Sequence, residues 1–128
     1  MKQIQYKNYW GKRKMTLKEK QFLFGQLMPK LFMYMSLKGF NPVLGYGFRD
    51  QKTQNRMVET GASKTKNSNH LRCIAVDIEL HDKEGHYLTS TEDHRQFGKW
   101  WEALHPMCRW GGPFGDGNHY SLFHDGVI

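Results

Sequence analysis

Residues 68–80 constrain this chain more than any other stretch. Over residues 73–80 the side chains alternate in character. Ile74, Val76, Ile78 and Leu80 lie on one side of an extended backbone. Cys73, Ala75, Asp77 and Glu79 lie on the other, because successive strand side chains face opposite ways. The pattern predicts a strand with one face fit to pack on a helix. Its other face carries Asp77, and His70 sits just upstream in the entering loop. A His and an Asp with six residues between them offer two metal ligands. A third is needed, and residues 116–119, with Asp116 and His119, are the best source.

A chain of 128 residues is expected to form one domain with a core large enough to stand without metal or disulfide staples. Aromatics at 14% and hydrophobics at 38% exclude a disordered chain. No apolar run approaches the roughly 20 residues of a membrane span. The N-terminus has charges but no apolar segment, so no cleaved signal peptide is expected. Cys73 and Cys108 make no disulfide framework and read as thiols of a protein made in a reducing cytosol. The net charge of +7 is concentrated at the front, where Lys2, Lys7, Lys12, Arg13, Lys14, Lys18 and Lys20 face only Glu19. Residues 1–15 read as a basic arm, pinned by Tyr6, Tyr9 and Trp10. It is either a solvated arm or one drawn to a polyanion, nucleic acid or the bacterial envelope.

Along the chain, Thr16 and Glu19 have the spacing of a capping box. Phe24, Leu27, Met28, Leu31 and Met35 then form one helical stripe that Gly39 ends. Pro29 is expected to kink or split that helix. Residues 42–49 read as a short strand, residues 51–59 as a short helix ending near Gly61, and residues 62–69 as a polar loop delivering His70. After the central strand come a turn over residues 81–86 and a hairpin strand at Tyr87 and Leu88. A second amphipathic helix spans residues 91–104, capped by Ser90 or Thr91, with Phe97, Trp100, Trp101 and Leu104 on one face. Two further strands, 107–110 and 119–123, flank a glycine-rich turn. In the last strand His119 and Ser121 share a side, so His119 meets Asp77 if the two strands are neighbours. His70, Asp77 and His119 make a three-ligand set of the kind catalytic zinc uses. Spacing alone leaves the alternative of solvated surface groups. The other histidines, His81, His86, His94, His105 and His124, read as polar surface groups, and Arg49 has the alternative of a surface ion pair with Asp50 or Glu59.

These residues carry a resemblance. Residues 61–70, with Ser68 two before His70, then Ala75 two before Asp77, and the late Asp116-x-x-His119, resemble the signature of phage-type zinc L-alanyl-D-glutamate endopeptidases. These are relatives of the VanY-like D-Ala-D-Ala carboxypeptidases and share the hedgehog fold. Arg49 and Gln54 match the family's Arg-x4-Gln element, and Trp110-Gly111-Gly112 also matches. The resemblance runs from about residue 22 to 122. It implies an α+β domain whose small, mostly antiparallel sheet is backed by helices, with zinc on the open face. By resemblance His70, Asp77 and His119 are the zinc ligands, Asp116 is the catalytic base, and Arg49 holds a substrate carbonyl or carboxylate. Ser68 and Gln54 then bind substrate or support the ligands. Two departures stand out. Cys73 replaces the usual glycine, which would crowd the strand or alter the site wall. Asn118 replaces a frequent proline, which would loosen the turn before His119.

The function implied is a zinc metallopeptidase that cuts peptidoglycan stem peptides as a phage or prophage endolysin, monomeric, with peptidoglycan as its partner, no nucleic acid and no membrane insertion. It would wait in the host cytoplasm until released to the wall. The alternatives are a D-Ala-D-Ala carboxypeptidase, a non-catalytic hedgehog-like zinc binder, and a basic nucleic-acid-binding protein.

Overall fold

The computed structural model describes residues 14–128. Helix α1 (Leu17–Leu37) starts at the expected capping box: the Glu19 amide donates to Thr16 Oγ1 at 3.1 Å, and the Thr16 amide donates to the Glu19 carboxylate at 3.0 Å. Its buried stripe is Leu23, Phe24, Leu27, Leu31 and Met35, joined by Lys20. Gly39, at φ +89°, turns the chain out of the helix. Contrary to expectation, Pro29 does not split α1, which runs through it unbroken. Pro29 removes the donor to the carbonyl of Gly25, four residues back. Both residues lie on the exposed face, where solvent can take that carbonyl.

Helix α2 (Gln51–Glu59) is capped by Asp50, whose carboxylate accepts from the Thr53 amide at 2.7 Å. Helix α3 (Thr91–Leu104) begins with a second capping box, Ser90 with Asp93. The strands are β1 (Asn41–Leu44), β2 (Ala75–His81), β3 (Tyr87–Leu88), β4 (Cys108–Trp110) and β5 (His119–Leu122). They form an open antiparallel sheet in the order β1-β2-β5-β4, with β3 also paired to β2.

The period-2 reading of the central strand holds. Ile74, Val76, Ile78 and Leu80 are at most 2% exposed and pack with Leu27, Leu31, Met35, Phe97, Trp101, Tyr120 and Leu122 between sheet and helices. Each such side chain is worth about 1.5–3 kcal/mol of burial. The Trp101 indole N–H donates to the carbonyls of Arg109 and Ser121, both at 3.1 Å, tying α3 to β4 and β5. Asp77 and His119 are left on the opposite face. The sheet is thus a platform, one side sealed by helices and the other carrying chemistry, as the α+β expectation required.

The strand begins later than expected. Cys73 caps a 3₁₀ turn (Asn69–Arg72) in the left-handed conformation, φ 59° and ψ 32°, and is exposed. Left-handed backbone favours glycine, which accounts for the residue type this position departs from. Cys73 therefore crowds no strand. His94 and His105, expected on the surface, are 2% and 4% exposed. Of the basic arm, residues 1–13, with Tyr6, Tyr9, Trp10, Lys12 and Arg13, lie outside the described residues. Lys14 pairs with Asp125 at 2.6 Å, and Met15 is buried in the core. Among the described residues no helix is long and apolar enough to cross a membrane.

Candidate metal centre

The register of β2 on β5 sets Asp77 directly opposite His119. His70 reaches the same point from the 3₁₀ turn that precedes β2. Its Nε2 is 3.2 Å from Asp77 Oδ1, and His119 Nδ1 is 3.5 Å from the same oxygen. Ligand atoms on a tetrahedron with bonds of about 2.0–2.1 Å stand roughly 3.3 Å apart. The two spacings match that edge, and all three ligand atoms lie within 4.8 Å of one another. Two imidazoles and a carboxylate form a donor set that suits zinc.

The supports fix how the ligands point. Ser68 caps the 3₁₀ turn, its Oγ accepting from the His70 amide at 3.2 Å. His70 Nδ1 donates to the Gly47 carbonyl at 2.8 Å, which leaves Nε2 as the ligating atom. Asn69, fully buried, donates from its side-chain amide to the carbonyls of Leu122 and Val127, both at 2.9 Å. This clips the ligand-bearing turn to the end of β5 and to the chain beyond it. His119 Nε2 is buried with no protein partner.

Arg49 is 5% exposed and makes no surface pair with Asp50 or Glu59. Its Nη2 donates to Asp77 Oδ2 at 3.1 Å and its Nη1 to Gln54 Oε1 at 2.7 Å. Gln54, fully buried on α2, donates in turn to Ser63 Oγ and the Thr65 carbonyl. Gln54 thus fastens Arg49 to the polar loop, and Arg49 fastens the carboxylate between the two histidines. Burial works to raise the Asp77 pKa, but hydrogen bonds from His119 and His70 and their charges outweigh it. Asp77 is held well below the usual carboxylate range.

A cleft of about 630 Å³ opens over these residues. Arg49, Ser68, His70, Asp77, Asp116 and His119 all line it, so each residue singled out from sequence except Gln54 reaches it directly. Asp116 opens to the cleft, yet the protein crowded around its carboxyl raises its pKa; the charge of His119 opposes this and that of Asp77 adds to it. A carboxyl group with a raised pKa can exchange a proton closer to neutral pH than an unshifted one. Asn118 lines the cleft too, its carbonyl accepting from the Ile78 amide at 2.9 Å.

Sequence reasoning missed several parts. The Gly47 carbonyl and the Asn69 clip leave no sequence signal. Met57, Val127 and Ile128 in the cleft wall come from segments with no motif. His94 did have a signal: with Phe97 and Trp101 it follows the i, i+3, i+7 stripe of α3, and its Nδ1 is 2.8 Å from the Tyr120 hydroxyl. His81, the first extra ligand one would test, pairs with Glu79 at 2.8 Å and stacks on Tyr87 instead.

No family model matches the sequence, and no curated protein matches it. Solved structures share the fold, two of them as follows. One is the Serratia marcescens L-Ala D-Glu endopeptidase ChiX, with a TM-score of 0.64 and 22% identity over 78% of this chain and 77% of that one. The other is the vancomycin resistance D,D-pentapeptidase VanY, an E175A mutant from the VanB-type resistance cassette in complex with Zn(II). It has a TM-score of 0.54 and 17% identity over 77% of this chain and 70% of that one.

Proposed function

We propose that this chain is a zinc metallopeptidase that hydrolyses peptidoglycan stem peptides at the L-alanyl-D-glutamate bond. The observation that carries the reading is a buried His–Asp–His group at the floor of a cleft whose wall presents the carboxylate of Asp116. The shared fold supports it: of the two proteins above, one is an L-Ala D-Glu endopeptidase and the other a D,D-pentapeptidase bound to Zn(II).

His70, Asp77 and His119 would hold the zinc. When bound, zinc supplies a Lewis acid that polarises a carbonyl and lowers the pKa of water. Asp116, on the cleft wall three residues before His119, takes the proton of the attacking water and delivers it to the leaving amine. Arg49 orients Asp77 through Nη2 and adds positive charge beside the oxygen that becomes anionic. Gln54 and Ser68 act behind these groups, one on Arg49 and one on the turn of His70.

The sequence resemblance further supports a role as a phage or prophage endolysin that accumulates in the host cytoplasm and acts once it reaches the wall. The net charge of +7 favours contact with an anionic wall. The test is digestion of defined muropeptides by the zinc-loaded protein, with fragments weighed by mass spectrometry. Cleavage between L-alanine and D-glutamate, abolished by chelation and restored by zinc, is the expected result. Release of terminal D-alanine alone would reassign the chain as a carboxypeptidase. No cleavage by the loaded protein would overturn the reading.

A further inference from the structure

The turn that carries Asp116 into His119 is a partition between two spaces. On one side lies the cleft. On the other lies a smaller polar cavity of about 220 Å³, bounded by Thr91 and His94 of α3 and by Tyr87 and Leu88 of β3. Gly115, Asp116 and Asn118 line both. Such a wall has room to move either way, so its position depends on what grips it.

The grip comes from Trp110. Its indole N–H donates to the Gly117 carbonyl at 2.6 Å, a buried bond. The ring is itself held without slack: a Cβ at Gly98 of α3 would fall 2.1 Å from it, and one at Gly112 2.2 Å from it. Gly117 lies against α3, where a Cβ would come within 2.5 Å of Thr91 Cα. A Cβ at Gly111 would stand 2.4 Å from the Asp116 carbonyl oxygen and 3.0 Å from His119 Cβ. None of these four glycines has positive φ, so they are there for closeness and not for turn geometry. α3 is in turn locked into the core by Phe97 and Trp101. A continuous line of contact therefore runs from the core through α3 and Trp110 to the residue next to Asp116.

We infer that Trp110 is a positioning residue that sets where Asp116 stands between the cleft and His119. The inference rests on the reading of Asp116 as the base. Without the indole N–H, the Gly117 carbonyl loses its donor and the partition can shift toward the smaller cavity. A misplacement on the order of 1 Å can cost roughly 10²-fold in rate.

The test is Trp110→Phe, which keeps an aromatic ring against Gly98 and removes the donor together with the outer ring atoms that Gly112 packs on. Zinc content should stay at the wild-type level and KM should change by less than about twofold, while kcat for muropeptide cleavage falls roughly 10–100-fold. In the zinc-free protein, hydrogen exchange should quicken at the Asp116 and His119 amides, which bond Gly111 and Asp116 within the turn, and not at Leu27 or Leu31 of α1. Gly117→Ala, pressing on the same turn from the α3 side, should reproduce both effects. Wild-type kcat and exchange in Trp110→Phe would overturn the inference. So would exchange that quickens equally in α1, since that marks a general loss of stability. If the wild-type protein cleaves nothing, the proposed function fails, and the exchange pattern alone decides whether Trp110 holds the turn.

Discussion

Among the described residues, two groups of side chains each bring three ligand atoms within 4.8 Å of one another: His70, Asp77 and His119, and Asp82, Glu84 and His86. They differ in everything else. The first joins a 3₁₀ turn and two strands, is largely buried, and is backed by Gly47, Arg49 and Gln54. The second sits within one hairpin turn, and one of its two acids, Asp82, is already occupied. Asp82 Oδ1 accepts from the Glu84 and His86 amides, and Oδ2 pairs with His86 Nδ1, each at 2.9 Å. Proximity of ligand atoms is therefore common and cheap. What separates a site from a turn is an independent scaffold for each ligand and side chains behind the ligands that hold them in place.

The largest expected effect breaks the first group. His70→Ala, Asp77→Ala or His119→Ala should drop zinc from about one per chain to near none by elemental analysis after dialysis, whereas His86→Ala should leave it unchanged. Full occupancy in all three variants, or loss in His86→Ala, would reverse the comparison. Next, Asp116→Ala should keep its zinc and lose roughly 10²–10⁴-fold in kcat, measured on soluble muropeptide. Near-normal turnover would move the base to another group, such as Glu79.

A smaller effect tests the scaffold itself. Gln54→Ala leaves Arg49 Nη1 buried without its acceptor, which should cost about 1–3 kcal/mol in a denaturant titration. Zinc affinity should fall about 10–100-fold, although Gln54 touches no ligand. Unchanged affinity would mean that Asp77 holds its place without Arg49.

The smallest effect sharpens the contrast between buried and exposed imidazoles. Burial lowers the pKa of His94, against the charge of Asp93, and lowers that of His105. The folded pKa lies below the unfolded value, so the unfolded state binds protons first. Stability from these residues is complete above about pH 6.5 and is lost as pH falls through their folded pKa values. His94→Gln should flatten the decline of Tm between pH 7 and pH 5.

Much of this was legible in sequence because it follows from periodicity. Alternation over residues 74–80 placed Asp77 on the face away from the core, and alternation in β5 placed His119 on the same face, so only the pairing of β2 with β5 remained to be supplied. The α1 stripe was readable for the same reason, and the Thr16–Glu19 capping box and a cap at Ser90 or Thr91 were readable from residue type and spacing. The supports of the site were legible only in part: Ser68 and Gln54 stood out through the resemblance, whereas Gly47 contributes a carbonyl, which every residue has, and the Asn69 clip depends on where the chain end comes to lie. Arg49 read as a group for substrate, and the contacts of its terminal nitrogens with Asp77 and Gln54 are an addition that the sequence did not announce. Cys73 read as a strand residue because its side chain fits the alternation, while its backbone does not.

The Asn69 clip has a consequence for the order of events in folding. Its amide reaches a carbonyl 53 residues away in sequence, and the strand pairing that closes the ligand set is similarly remote. Contacts of that separation form late, after the entropy of closing large loops has been overcome. The capped helices, built from local contacts, do not have to wait. Metal capture in a refolding experiment should therefore lag helix formation and report the arrival of the last strand, making zinc uptake a clock for completion of the fold.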